Sequence, residues 1–281
     1  MKNNQLMIYG AYGYAGELMV REAVAQRLRP IIAGRDAEKL KPIATELSLE
    51  CRAFGVRNTG SNLQDISVLL NCAGPFSATA EPLARACLAQ QIHYLDITGE
   101  IDIFRKCHAL DEEARQQNVL ILPGAGTDIV PTDCLAAMLK EKLPVATRID
   151  LALSFGTNPS IGTVNTMIES FGKGGLIREG GMLKVVSNAF QMRKIPFQNK
   201  PQWAMTIPWG DVFTSGISTG VPDGAVYMAM PRMSIYMIRL TNPVKGILNT
   251  QFGQKITKRL AGWLMKKGPD AKALEAGRGQ F

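Results

Sequence analysis

Histidine is nearly absent from this 281-residue chain. His93 and His108 are the only two, too few for a histidine-based metal centre. Cysteine is sparse as well: five residues, at positions 51, 72, 87, 107 and 134, with no C-x-x-C pair. That spacing excludes a zinc ribbon and a disulfide framework, and it fits reduced thiols in a cytoplasm. No apolar run reaches the ~18 residues that a bilayer span requires. The strand pattern starts at Leu6, so no secretory leader is expected. No Ser-Lys-Tyr spacing and no metal-ligand set presents itself, so no metal is expected. Acidic residues are missing from 224–269, a window that holds Arg232, Arg239, Lys245, Lys255, Lys258, Arg259, Lys266 and Lys267. Those eight charges equal the whole net charge of +8. The basicity is therefore a local patch on an otherwise balanced chain, and no nucleic-acid partner is expected.

What is present begins with a buried-strand pattern, Leu6-Met7-Ile8-Tyr9, running into Gly10-Ala11-Tyr12-Gly13-Tyr14-Ala15-Gly16. A strand that ends in glycines and opens a helix lets the backbone approach a pyrophosphate, whose charge then sits on the helix N-terminus. The usual turn is G-x-G-x-x-G. Here Ala11 holds its first glycine position and the tight-turn glycine comes one residue earlier. The next apolar run, Pro30–Ala33, ends in Gly34-Arg35, about 20 residues past the turn, where such folds read the ribose. An arginine there suits the 2′-phosphate of NADP, whereas an acid would suit the bare ribose of NAD. Asp36 follows, and the sequence leaves open whether it repels a phosphate or caps the next helix.

Apolar residues make up 46% of the chain and charged ones 20%, ordinary for a protein with a real core. At this length two packed units are expected. Residues 1–125 alternate strand and helix. Strands are expected at 6–9, 30–33, 50–54, 67–71, 93–97 and 119–122, and helices at 14–27, 37–47, 80–91 and 101–117. The pattern is α/β, a Rossmann-type doubly wound parallel sheet. Such sheets bind ligands beyond the carboxyl ends of their strands, where Gly10–Gly16, Gly34-Arg35, Asn71–Phe76 and Thr98-Gly99-Glu100 all fall. After Gly126 the texture changes. Thr132 or Asp133 suits the cap of a helix reaching Lys142. Arg148–Phe155 alternates like a half-buried strand, 163–171 reads as helix, glycine turns cluster at 172–181, and strands are expected near 183–187 and 225–230. The expected division is 1–126 for dinucleotide binding, 127–243 for a second α+β domain that handles substrate or dimerisation, and 244–281 for a basic amphipathic helix and tail. Phe252, Ile256, Leu260, Trp263 and Leu264 recur there at helical spacing, away from the lysines. Such a stretch is either an ordinary helix with a solvated face or a surface that meets anionic lipid or an acidic carrier protein.

These strings together resemble the saccharopine dehydrogenase-like oxidoreductases, in the branch that includes the trans-acting enoyl reductases. Besides the glycine turn and Ala33-Gly34-Arg35, the resemblance rests on Asn71-Cys72-Ala73-Gly74-Pro75-Phe76, Tyr94-Leu95-Asp96-Ile97-Thr98-Gly99-Glu100 and Pro123–Asp133. It continues through Ser160–Thr163, Gly174–Gly181, Trp209-Gly210-Asp211 and Ser218–Pro222, and so covers about residues 5–235. Thr127 stands where the family has an aromatic residue. Family members continue past a segment like Gly268-Pro269…Gly277-Arg278-Gly279, whereas this chain stops at Phe281, so the expectation is either an abbreviated second domain or a shortened product, without a piece that would help close the substrate pocket. The resemblance implies an NADP-dependent oxidoreductase.

The residues expected to hold NADP(H) are Gly10, Tyr12, Gly13, Tyr14, Ala15, Gly16, Gly34, Arg35, Asn71, Ala73, Gly74, Pro75, Thr98 and Gly99. Reduction of a polarised C=C or C=N bond also needs a proton. The candidates are Asp96, Glu100, Asp128, Asp133 and Cys72, with Glu100 and Asp128 placed first and Asp96 read rather as a support for its own loop through backbone hydrogen bonds. The Met-, Trp- and Phe-rich second half suits a hydrophobic or acyl-type substrate. Two other readings stand beside this one. The first is a noncatalytic NADP-binding protein docked to a membrane or complex through 244–267. The second is a saccharopine-type amino-acid dehydrogenase, for which Arg178 and Arg193 are the candidate carboxylate binders. A cytoplasmic protein, peripheral to membrane if the basic stretch docks, and a homodimer complete the expectations.

Overall fold

The computed structural model describes residues 5–155, 174–198, 200–244 and 279–280. The helix expected at 163–171 lies outside them, as does that expected at 244–267 apart from Val244. The chain divides into two compact units, residues 1–130 and 131–281.

The first unit carries β1 (Leu6–Tyr9), α1 (Tyr14–Ala25), β2 (Ile31–Gly34), α2 (Ala37–Leu47), β3 (Cys51–Ala53), β4 (Val68–Asn71), α3 (Phe76–Ala89), β5 (His93–Asp96), α4 (Ile101–His108), α5 (Asp111–Gln116) and β6 (Ile121–Leu122). Its six strands lie in the order β3-β2-β1-β4-β5-β6, every pair parallel. This is the doubly wound order, with its reversal between β1 and β4. The strands read as unbroken apolar runs because both faces are covered. Side chains alternate across the pleat. Met7, Tyr9, Leu69 and Tyr94 pack with Leu83 and Cys87 of α3 on one face, and Ile8 and Ile32 pack with Val20 of α1 and Leu40 and Ile43 of α2 on the other. Each such aliphatic side chain taken fully out of water contributes about 1.5–3 kcal/mol.

Three expectations change. Helix α3 starts at Phe76, capped by Pro75, and carries Pro82 inside it; the polar Ser77 and Thr79 belong to its first turn and not to a loop. The helix expected at 101–117 is broken at Ala109-Leu110. The break lets Leu110 join Cys107 and Ala114 in the core. Helix α6 (Val130–Lys142), which opens the second unit, begins at Val130, so Thr132 and Asp133 sit inside its first turn and not at the position before it.

The second unit is a largely antiparallel sheet with helices. After α6 come β7 (Arg148–Phe155), β8 (Gly175–Glu179), β9 (Met182–Val186), β10 (Met192–Pro196), β11 (Pro201–Ile207), α7 (Asp211–Thr219), β12 (Asp223–Ala229), α8 (Arg232–Leu240) and β13 (Gly279–Gln280). Its seven-stranded sheet runs β10-β11-β12-β7-β13, with β8 paired to β12 and to β9. β7 and β12 are parallel, and the other pairs are antiparallel. Gly180 and Gly181 turn the β8–β9 hairpin with positive φ, whereas Gly175 lies in β8 itself. β8, β10, β11, α7, α8 and β13 are additions to the sequence reading. Among the described residues no helix is long and apolar enough to cross a membrane, and no cluster of His, Cys, Asp or Glu is arranged to hold a metal.

Candidate functional site

The carboxyl ends of β1, β2, β4 and β5 gather the residues singled out for the coenzyme together with Glu100, and Asp128 lies just past β6. At β1, Gly10 has φ +84, a backbone state that L side chains avoid. A Cβ there would lie 2.7–2.8 Å from the backbone and side chain of Ala73, so the turn after β1 and the loop after β4 are in close contact. The Gly10 carbonyl accepts from the Gly13 N–H at 2.9 Å. Gly13 is the N-cap of α1 in an extended conformation, and no side chain caps that helix. Its first-turn amides, from Tyr14, Ala15 and Gly16, therefore point beyond the sheet edge without a side-chain acceptor, and the dipole of the helix favours an anion there. Glu17, the acid of that turn, is turned aside by Arg21 at 2.9 Å. The Tyr14 ring is 73% exposed.

At β2, the Tyr12 ring lies directly over Gly34. A Cβ at Gly34 would come within 2.6 Å of its Cε1, which is why a glycine ends this strand. Arg35 is exposed and makes no hydrogen bond or ion pair among the described residues. Asp36 answers the question the sequence left open. Its carboxylate caps α2, accepting from the Glu38 N–H at 3.1 Å and the Lys39 N–H at 3.3 Å, and Lys39 Nζ lies 3.7 Å away. Its charge is thus spent on a helix terminus and a lysine, leaving the Arg35 guanidinium unopposed. Lys39 was missed in the sequence reading. Its Nζ stands 5.7 Å from the Tyr12 ring centre, on the same corner as Arg35. A cation four residues after Arg35, one turn into α2, was the available signal.

At β4 and β5 the structure separates exposed from buried roles. Gly74 and Pro75 are exposed, their peptide bond is cis, and Ala73 is half-buried. The Asn71 side chain, by contrast, is fully buried. It accepts from the Ala73 N–H at 3.0 Å and donates to the Tyr94 hydroxyl at 3.1 Å and to Thr79 Oγ1 at 3.2 Å, so it shapes the loop from within. Asp96 is also fully buried. It accepts from the Thr98 N–H at 3.0 Å, the Gly124 N–H at 2.9 Å and the Tyr94 hydroxyl at 2.8 Å, the loop support expected of it. Burial raises its pKa against those three hydrogen bonds. Burial and the Asp96 charge push the Cys72 thiol up to about 12, which leaves it unreactive at neutral pH.

Thr98 is buried and its Oγ1 accepts from the Glu100 N–H at 3.1 Å. Glu100 is the N-cap of α4, where its carbonyl receives the Ile103 and Phe104 N–H groups. Asp128 lies on the loop after β6, its Oδ2 3.6 Å from where a Gly99 Cβ would stand. Asp128 is exposed as a residue, and the partial desolvation of its carboxyl raises its pKa. The β5 and β6 loops thus bring Gly99 and Asp128 together, with Glu100 beside Gly99 in sequence.

In the second unit the two arginines weighed as carboxylate binders are both engaged internally. Arg178 is buried and donates to the carbonyls of Val221 and Val212 and to Ser215 Oγ, and burial lowers its pKa. Arg193 pairs with Asp150 at 3.0 Å and lies over the Tyr227 ring.

Comparison with known proteins agrees with this architecture. The family model of the saccharopine dehydrogenase NADP binding domain matches residues 6–122. The saccharopine dehydrogenase-like oxidoreductase of Rattus norvegicus is 26% identical over 231 residues, 72% of this chain and 53% of its own length. A putative trans-acting enoyl reductase of Mycobacterium tuberculosis is 28% identical over 206 residues, 66% of this chain and 44% of its own. The chain thus spans about half the length of the curated relatives it matches. Apo saccharopine dehydrogenase (L-Glu forming) of Saccharomyces cerevisiae shares the fold, with a TM-score of 0.61 at 9% identity over 85% of this chain and 57% of that one. Residues 6–122 thus match the saccharopine dehydrogenase NADP binding domain, and the chain is similar at a distance to the saccharopine dehydrogenase-like oxidoreductases.

Proposed function

We propose that this protein is an NADPH-dependent reductase acting on a C=C or C=N bond of a hydrophobic or acyl-type substrate. The observation that carries the coenzyme choice is the exposed, unpaired Arg35 guanidinium at the end of β2, next to an Asp36 already committed to capping α2. A guanidinium recognises a phosphate strongly and specifically. Gly10, Gly13 and the first turn of α1 hold the diphosphate, with Tyr12 and Arg35 at the adenosine end. Ala73, Gly74, Pro75, Thr98 and Gly99 line the path toward the other end. When bound, the dinucleotide supplies hydride chemistry. The chain's own part is to orient, to exclude water and to hold a proton, and Asp128 suits the last task because its surroundings favour the protonated form. Glu100 is the second candidate donor. The enoyl reductase name of the Mycobacterium relative and the Met-rich second half support an acyl-type substrate. The internal engagement of Arg178 and Arg193 weighs against a multiply charged amino acid.

The test is NADPH oxidation with panels of enoyl thioesters and cyclic imines. Turnover on either panel supports the reading, and tight NADPH binding with no turnover on both rejects the reductase. Lys39→Met should weaken NADPH about fivefold and leave NADH unchanged, because a partly exposed cation near a phosphate contributes under about 1 kcal/mol; fluorescence titration reads both. A docked, noncatalytic protein is the second reading, favoured by the acid-free stretch 224–269 and by a Caenorhabditis elegans relative named for lipid droplet localisation. It predicts co-sedimentation with anionic liposomes that is lost when Lys255, Lys258 and Arg259 become glutamates.

A further inference from the structure

Tyr94 has no part in the sequence-based list of site residues, yet its hydroxyl bridges the two buried side chains that hold the site's loops. It lies in the middle of β5, completely buried in the core that also holds Tyr9, Leu69 and Leu83. Strand alternation places Tyr94 and Asp96 on one face, and the parallel register pairs Asp96 with Asn71 at the end of β4. The phenol thus sits between two polar side chains at the sheet's carboxyl edge. It accepts from Asn71 Nδ2 at 3.1 Å and donates to Asp96 Oδ2 at 2.8 Å.

Each of those partners holds a loop. Asn71 Oδ1 fixes the Ala73 N–H, and Ala73 is the residue packed against Gly10 at the head of the glycine turn. Thr79 braces the same loop from the first turn of α3, donating to the Ala73 carbonyl at 2.6 Å. Asp96 Oδ1 fixes the Thr98 and Gly124 N–H groups. One hydroxyl, roughly two residues below the edge, therefore ties together the loops after β4, β5 and β6. A buried polar tyrosine is costly unless its oxygen is fully used. A phenylalanine would fill the same space at no such cost, so a core requirement alone does not explain the hydroxyl.

We propose that Tyr94 is a positioning residue for the coenzyme: its hydroxyl, bridging Asn71 and Asp96, holds the loops after β4 and β5 in the arrangement that a dinucleotide requires. This rests on the coenzyme reading above. It touches neither the coenzyme nor the substrate, and it acts on the part of the site that NADPH and NADH share.

The test is Tyr94→Phe in the full chain, with circular dichroism to establish folding at the temperature of the titration. The proposal expects NADPH and NADH to weaken by the same factor, about tenfold, as an unpaired Asn71 and Asp96 relax the loops. The preference for NADPH stays as it was. A purely structural tyrosine would lower the thermal midpoint and leave both affinities of the folded protein unchanged, and that result overturns the proposal. Thr79→Val, which removes a brace at a half-buried position, is the second variant and should weaken both coenzymes about threefold. If Tyr94→Phe does not fold, unchanged affinities in Thr79→Val overturn the proposal instead. Wild-type protein that binds neither coenzyme rejects the coenzyme reading itself, and the inference with it.

Discussion

Arg35→Asp is expected to reverse the coenzyme preference. NADPH should bind about a hundredfold more weakly, since a charge-assisted contact of up to about 3 kcal/mol is replaced by carboxylate–phosphate repulsion. NADH should bind as well as before or severalfold better, because a carboxylate at the end of β2 accepts hydrogen bonds from ribose hydroxyls. The physical basis is local. Asp36 is adjacent, but its carboxylate is aimed at the α2 amides and Lys39, so the wild-type corner is cationic despite the Arg-Asp sequence. Arg35 is exposed, so the substitution should leave stability within about 0.5 kcal/mol, and the change in affinity can be read without a folding correction. A ratio of NADPH to NADH affinities that does not move would remove Arg35 from the site.

Asp128→Asn should act in opposite directions on activity and stability. If Asp128 delivers the proton, turnover on the substrate panels falls about 100-fold or more. Stability should rise at neutral pH. The sign follows from linkage: the folded pKa of Asp128 is raised above the ordinary 3.8, so ionisation is harder in the folded chain than in the unfolded one. Below 3.8 both states are protonated and the group costs nothing. As pH climbs above 3.8 the unfolded chain ionises more readily than the folded one, so the cost develops and is present at pH 7. Asparagine carries no such cost, so the thermal midpoint of the variant should exceed that of the wild type at pH 7, and the gap should close toward pH 3.5. An active-site group that is bad for the fold and good for the reaction is a familiar compromise. Glu100→Gln separates the two candidates, because the large loss of turnover belongs to whichever carboxyl supplies the proton.

The first unit was largely legible because its strands are short apolar runs that end in Gly10, Gly34 or Asn71, and its helices carry the complementary stripes. What escaped was fixed by contacts distant in sequence. Leu110 continues the apolar spacing of α4, so nothing local announces the break that turns it into the core. Asn71 reads as a coenzyme contact until its neighbours Tyr94 and Thr79 are seen to consume its amide. Tyr94 itself stands inside an apolar string and looks like simple core. The second unit was harder. β10 and β11 put Arg193 and Lys194 on one strand and bound the hairpin with Pro196 and Pro201, residues that read as loop when the partner strand is unknown.

Direct calorimetric titration of the wild-type protein with NADPH and with NADH, at one fixed salt concentration, bears most directly on the claim that the carboxyl edge of the parallel sheet is an NADP(H) site governed by Arg35. The account predicts saturable binding of both coenzymes, with NADPH at least about tenfold tighter. Equal affinities, a preference for NADH, or no heat with either would contradict it.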